Sequence, residues 1–477
     1  MKTSHAAPCR HKACLILLVS ALASAMPAAA EVRLPKIFTD NMMLQRDQPV
    51  RVWGWADAGE AVSVALKGTT VATKADDKGQ WALELPALKD GENLELTVQA
   101  GNSLTLKNIV VGDIWICSGQ SNMEMALRPC LGAADDIKAA DLPKIRQIKI
   151  KKVKSGQPEA DAQTATPWQV CSPQTAPAMT AVGFYFAREI QQKTGVPIGI
   201  IDSNWGGTRI EPWTPGEESA TPGAKGERSA LYNAMIHPLE RFPIKGALWY
   251  QGEANGGEGD TYYEKMRALI GGWRKQWALG DFPFYYVQLA NFQAPLADPV
   301  GGNGWAKLRE AQTKALTIPN TGMAVIIDTV PLGQSGNIHP VNKFDVGQRL
   351  ARWALARDYG QKDLVVSGPL FKALKLDGNK ARVEFEHTGA GLMLGKKEGR
   401  GPVAETKGEK LNRIAIAGAD KKWFWAEAVI EGNTLVVSSP EVKEPVAVRY
   451  AFEMNPDGAN LYNREGLPAG PFRTDAW

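Results

Sequence analysis

Short apolar runs alternate with helix-like segments through the middle of the chain, from about residue 108 to residue 360. Strands that are apolar on both faces must be covered on both sides, and intervening helices usually provide that cover. The pattern therefore predicts an α/β fold, a parallel sheet with helices on both faces. The runs that we interpret as strands are 109–111, 198–201, 247–250, 284–287 and 323–327, and the helix-like segments are 182–193, 305–316 and 343–358.

The segments on either side of this α/β region have a different pattern. Both alternate apolar and polar residues over short runs and are broken by glycine-rich turns, which is typical of β-structure. We therefore expect an N-terminal β-sandwich-like domain at 31–107, a central α/β domain at 108–360 and a C-terminal β-rich region at 361–477. The 477 residues are 44% hydrophobic and 22% charged, which is the composition of a globular protein with several cores.

The first thirty residues have the pattern of a secretory signal peptide. Basic residues precede an apolar run at 13–19, and alanines at 28–30 suit a signal peptidase. Because a membrane-spanning helix needs about 20 apolar residues, we expect cleavage before Glu31, no membrane anchor, and a periplasmic or secreted product. Cleavage lowers the formal net charge from +4 to +1, since three basic and no acidic residues leave. Such a nearly neutral chain lacks the basic footprint of a nucleic-acid-binding protein.

Three cysteines follow this segment, at Cys117, Cys130 and Cys171. An exported compartment permits one disulfide, for which Cys130–Cys171 is the preferred pair, and Cys117 is expected to be buried as a small apolar residue. The scattered histidines and the absence of clustered cysteines predict no metal site, and no cofactor is expected. The oligomeric state stays open.

The first candidate for a nucleophile follows the strand at 109–116. Catalytic groups of an α/β fold collect where strands end, and this strand runs into C-S-G-Q-S-N-M-E-M at 117–125. Ser121 follows a glycine turn and falls near a helix N-terminus, where its hydroxyl can be exposed and amides can stabilise an oxyanion. The same pattern is typical of a serine that caps a helix, and Ser118 is a rival nucleophile.

A pair of glycines follows the strand at 198–201. Gly206 and Gly207 would let backbone N–H groups approach a substrate oxygen closely. A glycine-rich turn beneath the packed side chains of Trp205 and Trp213 would give the same pattern.

The strand at 247–250 ends in Q-G-E-A-N at 251–255. Gln251 offers an amide as an oxyanion donor, and Glu253 offers a nearby carboxylate. An ordinary polar loop would look much the same.

Three histidines remain after the signal segment, so a serine activated by imidazole must use one of them. His339 stands between the last strand and the last helix of the α/β region, at a strand end. His237 follows a helix-like segment, where a structural role is expected, and His387 belongs to the C-terminal β-rich region.

Four of these blocks in order, at 119–123, 204–208, 249–255 and 338–340, resemble the bacterial sialate O-acetylesterase family of SGNH hydrolases. The resemblance extends to 42–46 and 460–468 and so spans nearly the whole mature chain. It implies a flavodoxin-like SGNH hydrolase core joined to β-rich accessory regions, which agrees with the pattern of strands and helices.

The resemblance also implies roles for single residues. Ser121 would be the nucleophile and His339 the general base. The oxyanion hole would use the Ser121 amide, a glycine of the pair Gly206 and Gly207, and the Gln251 side chain.

One position departs from the family, because Asn337 stands where many members have aspartate. An asparagine carbonyl can orient an imidazole but supplies no negative charge to stabilise an imidazolium. The sequence leaves three alternatives: a Ser–His dyad with the ring held by a backbone or Asn337 carbonyl, a carboxylate from elsewhere such as Glu253 or Asp328, or a weakened enzyme.

The function that this implies is release of acetate from O-acetylated sugars, with 9-O-acetylated sialic acid as the expected substrate. Acetylated xylan or xyloglucan oligosaccharides are the alternative substrates, and a secreted carbohydrate-binding protein with weak activity is the alternative class. The expected substrate contacts are Arg209, Asn122, Trp205 and Asn255. The Arg209 guanidinium suits the sialate carboxylate, and a structural salt bridge with Glu211 is its other role.

Overall fold

The computed structural model describes residues 1–7 and 31–477. Residues 8–30, which include the apolar core and the end of the predicted signal peptide, lie outside the described residues. Within the described ranges, no helix combines the length and the apolar character that crossing a membrane requires.

Six short strands form the N-terminal region. Strand β3 shows why they form, because Val62, Val64 and Leu66 are buried and alternate with residues that face outward. Strand β2 pairs with β5, and β3 pairs with both β4 and β6, all antiparallel. The strands are β1 (Met43–Gln45), β2 (Val50–Trp55), β3 (Ala61–Leu66), β4 (Thr69–Lys74), β5 (Gln80–Leu85) and β6 (Leu94–Gln99).

The next strand, β7 (Ser103–Gly119), belongs to two parts of the molecule. Its first half pairs antiparallel with β6, and its second half lies in the middle of the central sheet. The domain boundary expected at residue 107 therefore falls inside a continuous strand. Strand β1 also pairs with β7, parallel to it at Val110–Gly112.

The central region is a mixed sheet covered by helices. Its strand order is β13-β12-β11-β7-β10-β8-β9, with all neighbours parallel except the edge strand β9, which is antiparallel to β8. The elements are α1 (Ser121–Glu124), α2 (Ala133–Lys138), β8 (Leu142–Ile150), β9 (Thr164–Cys171), α3 (Ala181–Thr194), β10 (Ile198–Asn204), β11 (Gly246–Tyr250), α4 (Gly259–Trp277), β12 (Phe284–Val287), α5 (Gly304–Lys314), β13 (Thr321–Ala324) and α6 (Lys343–Arg357).

Successive residues of the central strands face opposite helical layers. In β7, Ile114 and Ile116 pack in the core that contains α4 and α5, whereas Trp115 and Cys117 pack in the core that contains α3 and α6. Helices therefore cover both faces, as the apolar strands predicted. The short helical turns are Ala176–Ala178, Glu211–Trp213, Gly216–Ser219, Tyr232–Ile236, His237–Leu239, Glu253–Asn255 and Ala315–Thr317.

The C-terminal region consists of three small antiparallel sheets, in the orders β14-β15-β21-β20, β17-β16-β23 and β19-β18-β22-β24. Arg309 of α5 joins this region to the centre, because its buried guanidinium donates to the carbonyls of Glu453 and Met454. The strands are β14 (Leu370–Asp377), β15 (Lys380–Glu386), β16 (Leu392–Lys396), β17 (Ala404–Glu405), β18 (Ile414–Gly418), β19 (Trp423–Trp425), β20 (Glu427–Glu431), β21 (Thr434–Ser438), β22 (Pro445–Tyr450), β23 (Leu461–Asn463) and β24 (Phe472–Arg473).

The predicted disulfide is wrong, because Cys130 and Cys171 are separate, buried thiols. The Cys130 thiol donates to the Ala126 carbonyl, and burial raises its pKa to about 11. Burial raises the pKa of Cys171 to about 12. Cys117 is buried, as expected. Packing also explains the abundant tryptophans, since eleven of the fifteen are buried.

Candidate active site

Ser121 lies where β7 ends beside two neighbouring strands. Gly119, the last residue of β7, lies between Asn204 of β10 and Tyr250 of β11. Its φ of 130° is a backbone conformation that glycine adopts and other residues rarely do. A Cβ at this position would lie 2.1 Å from the Tyr250 carbonyl oxygen. The close approach of the strands thus requires glycine at 119 and leaves Ser121 as the first residue of α1, half-buried.

The Ser121 hydroxyl meets the imidazole of His339. Ser121 Oγ lies 2.7 Å from His339 Nε2, although the two residues are 218 positions apart. The capping interpretation of Ser121 is wrong, because Gln120 occupies the cap position and its side chain caps nothing among the described residues. Ser118 is fully buried in β7 and is no rival nucleophile.

No carboxylate reaches the other imidazole nitrogen in the part of the chain that the structure describes. The Asn337 side-chain oxygen accepts a hydrogen bond from the backbone N–H of His339 at 2.9 Å, not from the ring. Asp328 binds Arg349 at 2.6 and 2.8 Å. The expectation that Asn337 or Glu253 acts directly on the imidazole is therefore wrong.

The environment of His339 favours its neutral form. Burial, followed by the positive charge of Lys343, lowers the pKa of His339 below its ordinary value of 6.5. A neutral imidazole is the form that accepts a proton from a serine. The geometry and the electrostatics of this pair therefore suit general base catalysis.

A buried polar chain lies directly behind the His339 loop. Asn122 donates through Nδ2 to Glu253 Oε1 and, at 3.0 Å, to the carbonyl of Ile338. Lys343 Nζ donates to Asn122 Oδ1 at 2.6 Å and to the carbonyl of Pro340 at 2.7 Å. Asn122 is 1% exposed, so the prediction that it contacts substrate is wrong.

Two backbone N–H groups near the end of β7, those of Ser121 and Gly207, are free to donate in the part of the chain that the structure describes. The N–H groups of Ser121 and Gly207 have no acceptor among the described residues, and Gly207 is exposed. Gly206 contacts Ser121 closely, since an added Cβ would lie 3.2 Å from Ser121 Cβ. Its own N–H, however, donates to Glu124 Oε2 at 2.7 Å. Of the glycine pair, Gly207 is therefore the one with a free donor.

Gln251 is not available as an oxyanion donor. Its side chain is fully buried, and its Nε2 donates to Gln120 Oε1, the Thr208 carbonyl and Asn255 Oδ1. Tyr262 donates to its Oε1 at 2.6 Å. Gln251 therefore connects the loops around the nucleophile, and its predicted role as a donor is contradicted by these bonds.

Arg209 belongs to a partly buried ion cluster. Its Nη2 lies 3.0 Å from Glu211 and 2.6 Å from Glu258, and Lys265 binds the same two carboxylates. Burial alone would raise the pKa of Glu258, but the bonds from Arg209 and Lys265 lower it to about 2. Asn255 is buried and donates to both carboxylates. The structural role of Arg209 is thus observed, and Asn255 is buried with its amide committed to this cluster.

Trp205 keeps a position that suits contact with substrate. Its backbone N–H donates to the Gly119 carbonyl at 3.1 Å, and its side chain is only partly buried. Lys154 Nζ lies 6.0 Å from the centre of its ring. The Trp205 backbone is thus held beside the end of β7 and its side chain keeps exposed surface, so its contact with substrate stays a prediction.

The two other histidines lie elsewhere. His237 Nδ1 is 3.0 Å from Glu240 Oε2, and the ring of His387 packs against Trp353. Within the described ranges, no group of three or more histidine, cysteine or acidic side chains could hold a metal ion.

The comparisons with known proteins agree on one family. A family sequence model described as "Carbohydrate esterase, sialic acid-specific acetylesterase" matches residues 111–356. A sialate O-acetylesterase from Homo sapiens is 31% identical, with 92% of this chain and 92% of that protein covered. The chain belongs to the sialic acid-specific acetylesterase family. A sialate O-acetylesterase from Rattus norvegicus is 30% identical, and the match covers 71% of this chain and 76% of that protein.

A solved structure is similar over nearly the whole chain. The crystal structure of a carbohydrate acetylesterase from Xanthomonas citri matches with a TM-score of 0.86 and 42% identity, and the match covers 94% of this chain and 100% of that one. The β-rich flanks are therefore included in the similarity to that acetylesterase.

Three residues near the site, Lys343, Glu124 and Lys152, were not predicted from the sequence. Lys343 lies behind the His339 loop, and Glu124 accepts from Gly206 and forms an ion pair with Lys152. No local signal identifies them, because each contact joins residues far apart in the sequence. Glu124 was at least within the segment singled out around Ser121.

Proposed function

We propose that the protein is a carbohydrate O-acetylesterase that releases acetate from O-acetylated sugars. The observation that carries this proposal is the 2.7 Å contact between Ser121 Oγ and His339 Nε2, at the end of a parallel strand. Membership of the sialic acid-specific acetylesterase family supports an acetylated sugar as substrate and makes 9-O-acetylated sialic acid the first one to test.

The proposed reaction has two steps. His339 Nε2 takes the hydroxyl proton as Ser121 Oγ attacks the acetyl carbonyl, and the protonated imidazole returns that proton to the departing sugar oxygen. Water, deprotonated by His339, then attacks the acetyl-serine. The bond from the acetyl carbon to Ser121 Oγ breaks, the protonated imidazole returns the proton to Ser121 Oγ, and acetic acid is released and ionises to acetate. The amides of Ser121 and Gly207 are the donors we assign to the oxyanion of both tetrahedral intermediates.

The fold is proposed to be that of an SGNH hydrolase with a flavodoxin-like core at 108–360. The parallel strands, the helices on both faces and the position of Ser121 at the carboxyl end of β7 support this. Residues 31–107 and 361–477 are proposed as accessory regions of the same enzyme.

Export is a further part of the proposal. The basic residues, apolar run and terminal alanines of residues 1–30 support cleavage before Glu31 and a periplasmic or secreted product. Sequencing the N-terminus of the protein from a periplasmic extract checks this. A chain that begins at Glu31 is expected, and an intact N-terminus in the cytosolic fraction alone would contradict export.

The activity is tested by acetate release from 9-O-acetylated sialic acid and, in parallel, from neutral acetylated xylo-oligosaccharides. Wild type should release acetate, and Ser121→Ala and His339→Ala should lower kcat by about 10⁴-fold or more without unfolding the protein. The neutral substrate belongs in the test because Arg209 is bonded to Glu211 and Glu258 rather than free for a carboxylate. Sugar binding without any acetate release would instead establish the carbohydrate-binding alternative.

A further inference from the structure

We propose that Asn122, Glu253 and Lys343 are positioning residues that hold His339 against Ser121, in place of a carboxylate bonded to the imidazole. This inference rests on the proposed esterase function and extends it. It assigns to these three side chains one of the two tasks of a triad acid, which is to orient the histidine. In a triad, the acid both orients the histidine ring and stabilises the imidazolium.

Hydrogen bonds from Asn122 and Lys343 hold the backbone on both sides of His339. Asn122 Nδ2 bonds the carbonyl of Ile338, which precedes His339, and Lys343 Nζ bonds the carbonyl of Pro340, which follows it. The backbone around His339 is therefore fixed at two carbonyls by side chains that do not touch the ring.

Asn122 also couples the loop to the nucleophile. It is the residue directly after Ser121 in α1, so its side chain links the helix that carries the hydroxyl to the loop that carries the base. Its Oδ1 accepts from Lys343 and its Nδ2 donates to Glu253, which fixes the orientation of the amide. A displacement of any member would change the separation of Ser121 Oγ and His339 Nε2.

Burying the ionisable groups of Lys343 and Glu253 costs free energy, which is unusual for side chains with a structural role alone. Lys343 is fully buried, and burial lowers its pKa to about 7. Burial also raises the pKa of Glu253, whose Oε2 is buried without a hydrogen-bond partner among the described residues. A buried pair of opposite charges often contributes nothing net to stability compared with apolar residues. Perturbed ionisable groups of this kind are more common at functional sites.

Glu253 is not arranged to act on the imidazole directly. Its Oε1 accepts from Asn122, and no contact with His339 exists in the described part of the chain. The influence of Glu253 on the histidine passes through the Asn122 amide and the Ile338 carbonyl. Glu253 is thus a positioning residue that needs an acceptor oxygen, not a charge, at Oε1.

The first experiment compares Lys343→Met with the double variant Glu253→Gln/Lys343→Met, using hydrolysis of p-nitrophenyl acetate and thermal unfolding. The single variant should lose stability, because it leaves a buried carboxylate without its counter-charge, and kcat should fall about 10²-fold with KM little changed. The double variant should regain stability but not kcat, since the Pro340 carbonyl still has no donor. Recovery of kcat together with stability would overturn the inference.

Arg274→Met is the matched control for a buried cation. Arg274 is 7% exposed and donates to the carbonyls of Phe282 and Asn320, next to the residues that begin β12 and β13, at the end of the sheet opposite the site. Its loss should lower stability and leave kcat at the wild-type value. An equal fall in kcat would show that general destabilisation explains the effect of Lys343→Met.

The second experiment compares Glu253→Gln with Glu253→Ala and needs no double variant to fold. Glutamine keeps an acceptor for Asn122 and should retain most of the wild-type kcat, whereas alanine should lose about 10²-fold. An equal loss in both would show that the carboxylate charge is required, and no loss in either would show that Glu253 has no role; each overturns the inference. An inactive wild type would overturn the proposed function as well, so the two failures are distinguishable.

Discussion

His339 Nε2 lies 2.7 Å from the Ser121 hydroxyl, and no carboxylate of the described residues reaches its second ring nitrogen. Its backbone N–H bonds Asn337, and the carbonyls on either side bond Asn122 and Lys343. The asparagine at 337 thus supports the loop rather than the imidazole. A base without an acid partner lacks the negative charge that would raise the imidazole pKa, and the neighbouring Lys343 lowers that pKa further.

The pH dependence of kcat/KM tests this arrangement. The base works when it is neutral, so activity disappears only as the pH falls through the lowered pKa of His339. We therefore expect the acidic limb of the kcat/KM profile below 6.5, the ordinary pKa of histidine. In Lys343→Met the limb should move to higher pH, because a positive charge near the imidazole is removed. A wild-type limb above 6.5 would contradict the account.

The sequence predicted that Ser121 and His339 act together, and the structure brings them into contact, but their surroundings were not predicted. His339 could be found because three histidines follow the signal segment and this one lies at a strand end, whereas Ser121 became the preferred nucleophile only through the family resemblance, since its local pattern also fits a helix cap. The role of Gln251 was not predicted, and Arg209 was left between a substrate contact and the salt bridge with Glu211 that the structure shows, since a polar side chain in a loop looks the same whether it faces substrate or is bonded internally. Lys343 gave no signal, because its partner Asn122 is 221 positions away.

The elements that carry the site are the ends of β7, β10 and β11. The strands were predictable from their apolar runs, and α3, α5 and α6 begin and end within a few residues of the predicted segments. Helix α4, the longest helix of the described residues, was not predicted from the sequence pattern, because its exposed face is rich in polar residues and glycine. The predicted domain boundary fell inside β7. This strand passes from a half-exposed sheet to a buried one, so its alternation of polar and apolar residues stops midway.

Gly206, in the loop after β10, is the glycine at which we expect substitution to lower kcat. A Cβ at 206 would lie 3.2 Å from both Ser121 Cβ and Glu124 Oε2, so Gly206→Ala should displace the nucleophile and lower kcat about 10²-fold. Gly271→Ala is the control, since it lies on the exposed face of α4 with open space around it. That change should leave kcat unaltered and stabilise the helix by about 0.5–1 kcal/mol. Equal kcat values for Gly206→Ala and wild type would contradict the crowding.

The three regions of the chain share one hydrophobic core at the scale of the whole molecule. A continuous buried cluster includes Val52 of the N-terminal strands, Ile114 of β7, Trp273 of α4 and Phe472 near the C-terminus. Arg46 crosses the same junction, because its guanidinium bonds the buried Asp113 at 2.9 Å. The β-rich flanks are therefore part of the structure that supports the site.

Cooperative unfolding follows from this shared core. We expect a single transition in calorimetry, with loss of esterase activity and loss of tryptophan fluorescence at the same temperature. Two transitions, or activity that survives the unfolding of the N-terminal strands, would contradict the continuity of β7 and of the core.

Trapping the acetyl-enzyme shows whether Ser121 is the nucleophile. The protein is mixed with p-nitrophenyl acetate, quenched with acid within the first turnovers and digested, and the peptides are sequenced by mass spectrometry. The account predicts an acetyl group on Ser121 in wild type and none on the corresponding peptide of Ser121→Ala, which should also release no acetate. An acetyl group on another residue, or wild-type turnover by Ser121→Ala, would contradict it.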